Sequence, residues 1–159
     1  MIRRFAGLRA GPSMRVADYS KRILALAEIL HRWAGQLMKL DGARREKVAR
    51  YAEEIAATLA RAAEAHLKLD ADPSCAQAQR ALVREFGRIS GYLETIVGVL
   101  HRHLDGRKLA GVKRRLELLR PTEPAVRPPA LPAGLHHAAG DRLTAAEGYF
   151  RALADALRA

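Results

Sequence analysis

The 159-residue chain is 49% hydrophobic but only 5% aromatic, and its 28 Lys and Arg against 17 Asp and Glu leave a net charge of +11. That length fits one domain with a core of Leu, Ile, Val and Ala, and the charge either attracts polyanions such as nucleic acid or an anionic membrane face or simply keeps an Arg-rich chain in solution. A single cysteine, Cys75, excludes an internal disulfide and a CxxC metal pair, and no apolar run approaches the roughly 20 residues of a membrane span, so a soluble, cytoplasmic protein is expected.

Residues 1–15 carry Arg3, Arg4, Arg9 and Arg15 with no acid, and Gly7, Gly11 and Pro12 break any helix there. They are expected to form a disordered basic arm. An organelle transit peptide, or a second start at Met14, are the other readings.

From Val16 onward an apolar residue recurs every three then four positions, the mark of a helix with one buried seam. The first helix runs through Val16, Tyr19, Ile23, Leu26, Leu30, Trp33, Leu37 and Leu40. The second runs through Val48, Ala52, Ile55, Leu59, Ala62, His66 and Leu69, and the third through Leu82, Phe86, Ile89, Leu93, Ile96, Leu100 and Leu104. A shorter fourth follows with Leu109, Val112, Leu116 and Leu119. Asp41-Gly42, Asp72-Pro73 and Asp105-Gly106 read as tight connections, with Asp72 as N-cap and Pro73 in the first turn of the third helix. Such short links make sequential helices antiparallel neighbours. The expected fold is therefore all-α: an up-down four-helix bundle over residues 16–120, a Pro-rich linker over 121–140, and a fifth amphipathic helix over 141–159.

The linker holds Pro121, Pro124, Pro128, Pro129, Pro132 and Gly134, and the last helix is expected to start with Asp141 as N-cap. Its stripe of Leu143, Ala146, Phe150, Leu153 and Leu157 needs an apolar surface. The short fourth helix leaves half the groove between the first and third open, so the stripe is expected to plug that groove or the same groove on a partner. Leu143, Phe150, Leu153 and Leu157 are the candidate partner-helix contacts. Inside the third helix, Gly87, Gly91 and Gly98 point to close approach of a neighbouring helix, or to a helix kept pliable.

No motif indicates an enzyme, a cofactor, a metal or a small-molecule substrate. Glu28 and His31 have the Glu-x-x-His spacing of di-iron bundles, but only one copy exists and it lies off the seam. His101, Asp105, His136 and His137 make only a chance ligand set. His66, on the seam, reads as a hydrogen-bonded histidine, and Cys75 as a small apolar residue. The densest positive charge is Arg107, Lys108, Lys113, Arg114, Arg115 and Arg120, the candidate polyanion-binding residues. Without aromatics among them, contact to nucleic acid would be to phosphates.

The run from Asp41 to Leu59, then Pro73, Ser74 and Cys75, a Leu/Ile-rich helix, and the closing Leu109, Val112, Leu116, Leu118 and Leu119 resemble helical domains at the N-termini of bacterial signalling and conflict proteins. Those domains are similar in outline to HeLo-type four-helix bundles, and the resemblance spans Val16 to Leu119. It implies a non-enzymatic adaptor or membrane-acting module in defence signalling and brings no site residues with it. Lys21, Arg22, Glu28 and Arg32 interrupt the first helix where the family pattern is more apolar. Two functions follow: an interaction module using helix-in-groove contacts to a protein partner or a second copy, or a small basic subunit of a ribonucleoprotein complex that grips nucleic-acid backbone.

Overall fold

A computed structural model describes residues 16–103, 106–119 and 134–159, and all the regular structure among them is helical. The helices are α1 (Val16–Arg32), α2 (Ala34–Leu37), α3 (Gly42–Ala71), α4 (Ala76–Leu100), α5 (Gly106–Leu119) and α6 (Leu135–Arg158). The expected arm over residues 1–15 and most of the linker, residues 120–133, lie outside the described residues.

The apolar period identifies the core almost residue by residue. Ile23, Leu26, Leu30, Ile55, Leu59, Leu69, Leu82, Ile89, Leu93 and Ile96 are all sealed from solvent, as are Leu109, Val112 and Leu116 on α5. Trp33 and Phe86 are only half-buried at the edge of this cluster.

Three boundaries differ from expectation. The first helix breaks at Trp33, whose backbone sits at φ −85, ψ 1; its N–H is shared between the Ile29 and Leu30 carbonyls, so the turn tightens. Asp72 closes α3 instead of opening α4: its Oδ1 accepts from the Ser74 backbone N–H at 3.1 Å and from Ser74 Oγ at 2.7 Å. That turn leaves Cys75 as the residue before α4. Finally, α6 begins at Leu135 after Gly134, whose φ of +90 suits glycine. Residues 135–140 are therefore helix rather than linker, because Ala139 and His136 extend the buried period one and two turns back from Leu143.

The order of neighbours also changes. Instead of lying between α1 and α4, α6 packs most extensively on α3 and next on α1, while the direct approach of α1 to α3 is slight. The other space, between α4 and α1, is bridged by α5. The break at Trp33 explains this, because α2 and its flanking turns lengthen the connection and leave a helix width between α1 and α3. Side-chain pairs give the directions. Arg158 reaches Glu46 and Glu53 at one end of α3, and His136 meets His66 at the other, so α6 is antiparallel to α3. Arg61 pairs with Glu85 and Tyr51 with Tyr92, so α4 is antiparallel to α3 as well. Arg142 donates to Ser20 and Tyr149 stands edge-on to His31, so α6 runs parallel to α1.

Candidate polyanion-binding surface

Because Leu109, Val112 and Leu116 turn inward, the cations of α5 are distributed around the rest of its circumference. Arg107 and Arg114 fall at the pole opposite the seam, and both are exposed. Arg115 and half-buried Lys108 share one flank. Lys113 lies on the other, in a shallow depression with Glu94, Val97, Leu116 and Glu117. Two carboxylates thus stand around Lys113, and the predicted patch is strongest at Arg107, Lys108, Arg114 and Arg115. Arg120 lies outside the described residues.

A second set of cations was not singled out from the sequence. Arg80, Arg84 and Arg88 recur every fourth residue along the exposed side of α4. Glu85, next in sequence, points inward and is 2% exposed, where its two oxygens accept from Arg61 Nε at 3.1 Å and Arg84 Nε at 3.2 Å. Arg61 also donates to Thr58 Oγ1. A buried carboxylate needs such partners, and this one ties α3 to α4 while removing an acid from the surface. The i, i+4 spacing was the available signal; the neighbouring Glu85 and Glu94 masked it.

The surface is consequently lopsided. Residues 76–119 hold nine Lys and Arg against four Asp and Glu, residues 16–75 hold ten against nine, and residues 134–159 hold three of each. On the α3–α6 side a shallow groove of about 270 Å³ is lined by Glu64, Asp141 and Glu147 with no Lys or Arg.

Leu143, Phe150, Leu153 and Leu157 are all at most 2% exposed within their own chain. In this structure α6 fills its own bundle, so these side chains are core rather than a free partner surface. The same seam contains a polar interruption. His66 Nδ1 and His136 Nδ1 lie 3.0 Å apart, one ring donating to the other. His66 Nε2 is buried without a partner. Burial, and secondarily the charge of His136, pushes His66 down to about 4; burial lowers His136 too, with Asp70 opposing. Both imidazoles are held neutral near pH 7. Phe86 packs beside His66 and stacks on Tyr19 at 3.9 Å between ring centres. Burial raises the Tyr19 phenol well above its ordinary value, with the neighbouring Ser90 hydroxyl opposing, while Ser90 Oγ donates to the Phe86 carbonyl.

The remaining sequence candidates do not converge. His31 meets Tyr149 edge-on, while His101 is exposed. His137 belongs to α6, 3.5 Å from Asp141. Among the described residues no three His, Cys, Asp or Glu side chains gather as a metal site, and no helix is long and apolar enough to cross a membrane. Cys75 is half-buried with a free thiol. The expected close approach at Gly87, Gly91 and Gly98 is absent: a Cβ at any of the three would meet open space, because all three face solvent. Among the described glycines, the one facing another helix is Gly140, where an added Cβ would stand 3.7 Å from the Ala63 carbonyl oxygen and from the His66 Cβ. No family model, no curated protein and no solved structure matches this chain, so function must be argued from these surfaces.

Proposed function

We propose that the protein is a non-enzymatic helical scaffold that holds a nucleic-acid backbone against the outer face of α5, as a basic subunit of a ribonucleoprotein assembly would. The observation that supports this reading is the lopsided charge: Arg107, Arg114 and Arg115 stand on solvent with Lys108 beside them, and the acid-lined groove lies on the far side, between α3 and α6. A polyanion meets an attractive field on one face only, and contact there is to phosphates, without sequence preference. The test is retention on heparin and fluorescence anisotropy with labelled nucleic acid at increasing salt. Replacing Lys113, Arg114 and Arg115 together by Glu is expected to abolish binding while leaving the melting temperature unchanged. Undiminished binding in that variant rejects the reading.

A second reading is favoured by the buried His66–His136 contact, a polar interruption in the apolar seam of the most extensively packed helix pair, α3 and α6. In it, α6 is a releasable plug, and the seam it vacates between α1 and α3 takes a helix of a partner protein or of a second copy, as a signalling or defence adaptor would use it. Concentration-dependent mass without nucleic acid, lost when α6 is held in place by an α3–α6 disulfide, is the result expected of this alternative.

A further inference from the structure

The groove between α3 and α6 has an apolar floor and an acidic rim. Ala60, Ala63 and Leu67 line it from α3 and Gly140 from α6, with Glu64, Asp141 and Glu147 along its edges. Leu67 is 63% exposed, the most exposed large apolar side chain among the described residues. Glu147 is held by Arg151 at 2.9 Å and Asp141 lies 3.5 Å from His137, but Glu64 pairs with no cation among the described residues. Asp70, three residues beyond Leu67 on the same helix face, adds a further negative charge and acts on His136.

We infer that this groove is the docking site of the chain's own residues 1–15. Those residues lie outside the described structure, and their sequence supplies what the groove lacks: Arg3, Arg4, Arg9 and Arg15 with no acid, interleaved with Ile2, Phe5 and Leu8. Guanidinium groups suit the carboxylates of the rim, and an apolar side chain among them suits the bare surface of Leu67. The opposite side repels such a segment, because residues 76–119 hold nine Lys and Arg against four acids. The chain also enters at the right end. Since α1 runs parallel to α6 and Ser20 meets Arg142, Val16, four residues earlier, stands level with about residue 138, between His137 and Gly140. The width of α6, about 10–12 Å, separates that point from the groove, and the segment can span up to about 50 Å. Exposed ion pairs are individually weak. Attachment to the same chain offsets this, since a tethered segment meets its site at an effective concentration of about millimolar.

The test places a nitroxide on Ala6→Cys of the full chain, with Cys75→Ser removing the other thiol, and reads amide signals by NMR. With the label oxidised, Ala63, Glu64, Leu67 and Gly140 are expected to lose intensity relative to the reduced sample. Val83 is the control: Tyr19 stacks on Phe86, so Val83 lies close to the level of Val16, but on the α4 side. It should keep its signal. The loss at the groove should vanish when Arg3, Arg4 and Arg9 are all replaced by Gln, changes that leave the bundle untouched, and again when Glu64→Lys and Asp141→Lys together reverse the rim. An even loss around this end of the bundle, a loss centred on Val83, or a groove loss unchanged in the arginine variant overturns the inference. Mixing spin-labelled chains with isotope-labelled chains that carry no nitroxide should give no loss; a loss in that mixture gives the groove to the arm of a second copy and overturns the inference as well.

Discussion

The α3–α6 side and the α4–α5 side of this molecule are built from the same kind of helix and solve different problems. On the first, two long antiparallel helices bury a continuous seam, and the ends are fastened by Arg158 with Glu46 and Glu53 and by the histidine pair. On the second, a 14-residue helix leans on its neighbours through three inward apolar residues and spends the rest of its circumference on charge. Packing determines the fold on one side and leaves the other side's outer surface unconstrained. A cationic surface can therefore accumulate on α4 and α5 without compromising the core.

The comparison breaks most visibly if charge is placed in the seam. Leu26→Asp or Ile55→Asp buries an unpaired carboxylate at a fully enclosed position. Either should remove several kcal/mol, comparable with the whole stability of a small domain. Cooperative melting near the wild-type temperature would contradict the helix register. Phe150→Ala, which empties the largest enclosed side chain of α6, should destabilise by about 3–5 kcal/mol and increase hydrophobic-dye binding. A near-neutral value in urea titration would mean that α6 is not docked in solution.

Acid sharpens the same contrast. His66 takes up a proton at its ordinary pH in the unfolded chain, near 6.5, but only at about 4 when folded. The unfolded state therefore binds more protons between those values, and stability present above pH 6.5 is lost as the pH falls toward 4. The separation corresponds to about 3 kcal/mol, and His136, lowered as well, acts in the same direction. Unfolding free energies measured from pH 7 to pH 4.5 should fall for the wild type and fall less for His66→Leu; identical slopes would remove the histidine pair as the cause. The smallest change expected in stability comes from Lys113→Glu, Arg114→Glu and Arg115→Glu together: within about 0.5 kcal/mol, since all three are exposed. A loss of several kcal/mol there would show that α5 is structural on its outer side too.

Which residues are buried was legible in the sequence, because a 3.6-residue period reports the inward face of each helix directly. Tyr19 to Leu40, Val48 to Leu69 and Leu143 to Leu157 all face inward as that period requires, apart from half-buried Trp33. Which helix each face meets was not legible. Nothing in the Leu143–Leu157 period distinguishes α3 from α4 as a partner, and the break at Trp33 that lets α6 enter beside α1 has no proline to announce it. The cations of α5 were visible as a dense run. Those of α4 were hidden because Glu85 sits among them in sequence, although in space it turns inward and is neutralised by Arg61 and Arg84.

The placement of α6 also bears on how the chain acquires its shape. The contacts that close α3 onto α6 join residues 70 positions apart at His66–His136 and 112 apart at Glu46–Arg158. At a synthesis rate of about 5–20 residues per second, α3 waits several seconds for its partner helix to be made. During that interval the hairpin of α3 and α4 can form from nearby residues, but the sides of α1 and α3 that α6 will cover remain bare. A nascent chain paused there presents two parallel-sided apolar tracks, the kind of surface that chaperones hold and that like chains aggregate through.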